Sequence, residues 1–222
     1  MWKKFTALFA LNRDDLWIAL GMSGLPFLLV HLVTAGVMVL VRPDESIFVG
    51  GMLLPFSVGI AAFSVTAGNV QITFSQAVRF SATRKHALVL TLGLAGSLTA
   101  LSAALGGLLI AFERGPAMDL WRVLSRNPEL LVDDFGFVWW AIPLGAIVGF
   151  TVGLLYGAAL LRFGGLAVAG FMIIWFGGIA GVQLLPWKTH EVTNILLPAL
   201  ALLGVLGVVW SVWTMLHHSV TK

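Results

Sequence analysis

Cysteine is absent from the 222 residues, which excludes disulfides, thiolate metal sites and cysteine nucleophiles while leaving the compartment open. Charge is scarce too, at 10% of residues, against about 25% in an average soluble domain. Also missing are a G-x-x-x-x-G-K-[ST] phosphate loop, an H-E-x-x-H pair, and two acids within one apolar run to carry protons or hold a metal. These absences disfavour an enzyme or an ion-coupled carrier. What is present is hydrophobic: 59% of the chain, with a mean hydropathy of +0.98. The charges fall in short clusters between apolar runs of roughly 18 residues or more, each long enough to cross about 30 Å of hydrocarbon as a helix. The pattern implies an all-α integral membrane protein. Its net charge of +3 comes from basic residues at the edges of those runs, so no nucleic-acid partner is expected.

In chain order, residues 2 to 11 place Trp2, Phe5 and Phe9 on one side and Lys3 and Lys4 elsewhere, the pattern of a helix lying in the membrane interface. Arg13, Asp14 and Asp15 interrupt the N-terminus before a full-length run, so no cleavable signal is expected. Six spans follow, at about 16–41, 47–68, 87–112, 137–161, 164–185 and 193–216, with Pro26 a kink in the first. Between them lie an outer turn at Arg42 to Ser46, an inner segment at 69–86, an outer loop at 113–136 and a tight inner turn at Arg162 and Phe163. In the outer loop, Pro116 and Asn127-Pro128-Glu129 signal two short helices. With both termini inside, eight cations lie on the inner side and five on the outer, which favours that orientation.

Gly145, Gly149, Gly153 and Gly157 recur every four residues along the fourth span. They form a smooth strip for helix packing, and Gly164, Gly165, Gly170, Gly177, Gly178 and Gly181 suggest the fifth span as its partner. His31 is the one ionisable side chain well inside a span, where it either faces another helix as a neutral group or serves function. Haem would require a second axial histidine, yet His86, His190, His217 and His218 all lie at edges. Gly21-Met22-Ser23-Gly24 matches the GxSG of rhomboid proteases, an intramembrane hydrolase reading in which Ser23 needs a histidine base.

The longest inner polar interruption is Asn69 to His86. Phe74, Val78 and Ala82 recur there at helical spacing, and Arg84, Lys85 and His86 close the segment where cations favour a helix C-terminus. It reads as a short surface helix with a basic stop, or as an orientation signal that touches anionic lipid. The interfacial helix, six spans and Phe74-Ser75-Gln76-Ala77-Val78 followed by Ser81-Ala82-Thr83-Arg84-Lys85 resemble the permeases of the type-2 ABC exporter family.

The resemblance covers nearly the whole chain and implies one permease domain, 1–222, in a bacterial cytoplasmic membrane. Two permeases would pair, as homodimer or heterodimer. Each would rest the inner segment on a separate ATPase through Phe74, Val78, Arg79, Ala82, Thr83, Arg84 and Lys85. The resemblance implies no cofactor in this chain, with ATP and Mg held by the partner subunit. The resemblance also implies a translocation path along the second and fifth spans, where the polar candidates are Ser57, Ser64, Thr66 and Gln183. A non-transporting membrane scaffold or sensor is the alternative of another class.

Overall fold

The computed structural model describes residues 13–40, 50–79, 82–124, 138–184 and 190–217. The expected interfacial helix at 1–12, the outer turn at 42–46, the short helix at 127–129 and the tail at 218–222 lie outside the described residues. Within them every element is helical: α1 (Arg13–Leu40), α2 (Gly50–Gly68), a wide π-turn (Asn69–Phe74), α3 (Ser75–Arg79), α4 (Arg84–Phe112), a second π-turn (Glu113–Ala117), α5 (Met118–Leu124), α6 (Val138–Phe163), α7 (Gly165–Leu184) and α8 (His190–His217). Five helical stretches among the described residues are long and apolar enough to cross a membrane: Arg13–Val37, Leu53–Arg79, Arg84–Leu120, Trp139–Phe163 and Pro198–His217. In α7 the corresponding apolar stretch is Gly165–Ile174.

Two boundaries differ from expectation in the same way. The second and third spans are expected to end at residues 68 and 112, where polarity rises. At both points the helix continues through a π-turn, into α3 and into α5. In the second turn Pro116 has no N–H to give to the carbonyl four residues back. The Met118 N–H bonds instead to Glu113 O, which widens the ring. The expected outer loop is therefore helical as far as Leu124, and Met118 is buried. Pro26 sits inside α1 without ending it.

The chain divides into two compact units. Unit 1 comprises residues 1–65 and 94–150. Its core joins Phe27 of α1, Leu54 and Val58 of α2, Ile110 of α4, and Ile142 and Ala146 of α6. A second cluster gathers Ala19, Val65, Leu94 and Leu98. Facing outward, Leu32, Val33, Ile147 and Val148 are more than half exposed, which suits lipid rather than water.

Among the described residues, Gly145, Gly149 and Gly157 of the glycine strip find partners on α2 and the turn after it. A Cβ on Gly145 would run into the carbonyl oxygen of Pro55, and one on Gly149 into that of Gly59. From the other side, a Cβ on Gly59 would lie 3.1 Å from the carbonyl oxygen of Gly145. These contacts belong to unit 1. Without water to drive association, helix packing in a membrane rests on such close backbone approach. On α7, Gly165 and Gly170 have nothing within 4 Å of a Cβ position.

Unit 2 comprises residues 66–93 and 151–222. Gly157 of the strip packs here, 2.7 Å from Val70 Cβ at its own Cβ position, while Gly153 is buried. Tyr156 of α6 meets Phe171 of α7 at 4.7 Å between ring centres. The turn between α6 and α7 is one residue long, and Gly164 makes it with φ +58°, a conformation costly for a side chain with a Cβ.

Candidate functional site

The segment from Asn69 to His86 is built onto the packed helices rather than laid beside them. Asn69, Val70, Thr73 and Phe74 are buried, and Thr73 Oγ1 donates to Asn69 Oδ1 at 3.0 Å across the wide turn. Phe74, expected as the leading apolar anchor for a partner, is 1% exposed and belongs to the interior. Val78 and Ala82 are half-buried. Gln76, Arg79, Thr83, Lys85 and His86 are exposed, so the outward face is polar and basic.

The basic stop also has a different local role. Arg84, Lys85 and His86 begin α4 instead of ending a surface helix. Thr83 explains the start: its carbonyl accepts from the Ala87 N–H at 2.9 Å, and its hydroxyl oxygen accepts from the His86 N–H at 3.4 Å, as in an N-cap. Cations in a first helical turn oppose the macrodipole. Arg84 offsets this by reaching the opposite pole of another helix, with Nη1 donating to the carbonyl of Leu216 in the last turn of α8 at 3.1 Å. That carbonyl has no partner within its own helix. Nearby in sequence to the α6–α7 turn, Arg162 lies against the Phe163, Trp210 and Trp213 rings at 5.1, 6.0 and 5.9 Å.

The polar residues expected to line a path are dispersed in kind. In unit 1, Ser57 Oγ is within hydrogen-bond distance of the carbonyls of Leu54 at 3.1 Å and Ser23 at 3.3 Å, and Ser64 is half-buried. In unit 2, Thr66 is fully buried, with no hydrogen-bond partner for Oγ1 among the described residues. The Gln183 side chain lies outside the described residues. Ser23 is fully buried and donates to Ala19 O at 2.7 Å. His31 lies eight residues further along the same helix, about 12 Å at 1.5 Å per residue.

No family model, curated protein or solved structure matches the chain.

One residue of consequence was not legible from the sequence. Glu113, expected in the outer loop, is 3% exposed at the first position of the second π-turn. Its Oε1 accepts from the Gly51 N–H at 3.0 Å and lies 3.9 Å from His31 Nε2. The other ring nitrogen, His31 Nδ1, is 3.0 Å from the Phe27 carbonyl, and the Phe27 and His31 rings are 4.0 Å apart. Unit 1 therefore joins α1, the first turn of α2 and the end of α4 through one buried carboxyl. The available signal was the helical spacing of Ile110, Glu113 and Ala117, which places the acid on the face those apolar residues bury.

Proposed function

We propose that the chain is the membrane-spanning permease subunit of an ABC exporter. It lies in a bacterial cytoplasmic membrane with six spans and both termini inside, and it works as a dimer. A separate ATPase subunit supplies ATP hydrolysis. The observation that carries this reading is the anchoring of the segment around residues 69–86. Asn69, Thr73 and Phe74 are buried, and Arg84 is bonded to the end of α8, so a force applied to the exposed Gln76, Arg79 and Lys85 reaches packed helices. A mere orientation signal needs only charge, whereas a coupling element needs this mechanical attachment.

The deciding experiment is purification from native membrane, with identification of any ATPase that accompanies the chain. The Arg79→Glu, Lys85→Glu double variant should reduce recovery of that ATPase at least tenfold, which corresponds to about 1.4 kcal/mol, with the permease still inserted and folded. Recovery equal to wild type would place the ATPase contact away from Arg79 and Lys85, and no ATPase at all would favour the scaffold or sensor reading.

Topology has its own measurement. The chain lacks cysteine, so single cysteines report cleanly. Thr83→Cys, at an exposed position, should label only from the cytoplasmic side and Ser125→Cys only from outside. The reverse pattern would refute the six-span orientation.

A further inference from the structure

We infer that Glu113 and His31 form a binding site for one exchangeable proton in the interior of unit 1. The tautomer follows from the partners. A carbonyl oxygen only accepts, so the contact with Phe27 O at 3.0 Å requires the hydrogen on Nδ1. In the neutral ring Nε2 then presents a lone pair, and it faces Glu113 Oε1 at 3.9 Å. A carboxylate opposite a neutral imidazole of this tautomer would set two acceptors against each other. One proton removes the conflict: on Nε2 it makes an ion pair, and on the carboxyl it makes a neutral acid.

The surroundings identify the ligand as a proton rather than a metal ion. Glu113 Oε2 is buried with no hydrogen-bond partner among the described residues. A Cβ built on Gly51 would lie 2.9 Å from that oxygen and 3.1 Å from Ile110 Cδ1, so on this side the site is closed by backbone and an apolar side chain. A hydrated cation needs room there, and a proton needs none.

Among the described residues of unit 1, few other charges face the pair. In unit 1, α2 from Gly50 to Val65, α4 from Leu94 to Phe112 and α6 from Val138 to Phe150 carry no titratable side chain, and His31 is the sole one in α1 beyond Asp15. Arg114 adjoins Glu113, with its guanidinium carbon 5.7 Å from the centre of the Trp139 ring. Asp119 lies further along the helix, in α5, and Arg13, Asp14 and Asp15 stand at the start of α1. Because the carboxyl also accepts from the first turn of α2, proton occupancy bears on three helices at once. The inference is independent of an ATPase partner.

The chain has four glutamates, at 45, 113, 129 and 191. Carbon-13 labelling of glutamate side chains in lipid nanodiscs therefore gives few signals, and Glu113→Gln identifies its own by deletion. Glutamine keeps an oxygen for the Gly51 N–H, so this variant should fold. If it does not assemble, Glu45→Gln, Glu129→Gln and Glu191→Gln assign the remaining signal by elimination. The Glu113 carboxyl signal should titrate, and His31→Gln should move its midpoint at least tenfold in proton concentration. A Glu113 signal that stays that of a carboxylate at every pH where the protein is folded, or one whose titration ignores His31→Gln, would overturn the site and leave Glu113 a helix cap.

Discussion

Replacing Gly149 with alanine should lower the thermal stability of the protein, and replacing it with leucine should prevent its assembly. A Cβ at this position would meet the backbone of Gly59, whose carbonyl carbon would lie 2.8 Å away and whose Cα 3.0 Å away. A side chain can rotate out of such a clash, but a helix backbone must be pushed back as a unit. Overpacking of this kind typically costs about 1–3 kcal/mol. The sign makes the result diagnostic. Alanine is intrinsically favoured over glycine in a helix by about 1 kcal/mol, so without the close approach the substitution would be neutral or stabilising. Gly96→Ala supplies that comparison, since nothing lies within 4 Å of its Cβ position on α4. Thermal unfolding in detergent, followed by the fluorescence of the nine tryptophans, reads both variants. Equal midpoints for Gly149→Ala and wild type would mean that α2 and α6 do not meet at this glycine.

The same contact shows what could be read from the sequence. Spacing of four marks a strip where a helix can approach, because small residues on one face remove the side chains that keep backbones apart. It does not name the partner, since that depends on which surface presents a matching groove. Pro55 and Gly59, themselves four apart, supply it on α2, a partner that the denser glycine content of α7 does not point to. The helix ends at Gly68 and Phe112 were obscured for a related reason. Polar side chains ordinarily mark the water boundary, yet Asn69, Thr73 and Glu113 are buried. Two of them hydrogen-bond to each other and the third bonds to a helix N-terminus. Composition records polarity, while burial depends on partners distant in the chain. Gly51 stands 62 positions from Glu113, and no local pattern links the two.

Phe74→Asp should abolish the folded state of unit 2, whereas charge reversal at Arg79 and Lys85 should leave it intact. Phe74 is 1% exposed within the wide turn that also buries Asn69, Val70 and Thr73. Truncation of a buried phenylalanine to alanine already costs about 3–5 kcal/mol, and aspartate adds the cost of taking a charge out of water. The sequence pattern places Phe74 on the apolar edge of a docking helix, where the same substitution would remove a partner and spare the permease. The two views diverge in a single comparison. If Phe74 is an interior residue, Phe74→Asp loses the cooperative thermal transition along with any ATPase binding, and Phe74→Leu restores both. If it is a docking anchor, Phe74→Asp inserts and melts like wild type and loses only the ATPase. Arg79 and Lys85 are exposed, so Arg79→Glu, Lys85→Glu changes a surface without emptying a core and should change stability by no more than about 0.5 kcal/mol. A normal transition for Phe74→Asp would overturn its interior assignment. Loss of the transition in the double charge variant would mean that Arg79 and Lys85 hold the fold rather than present a surface to a partner.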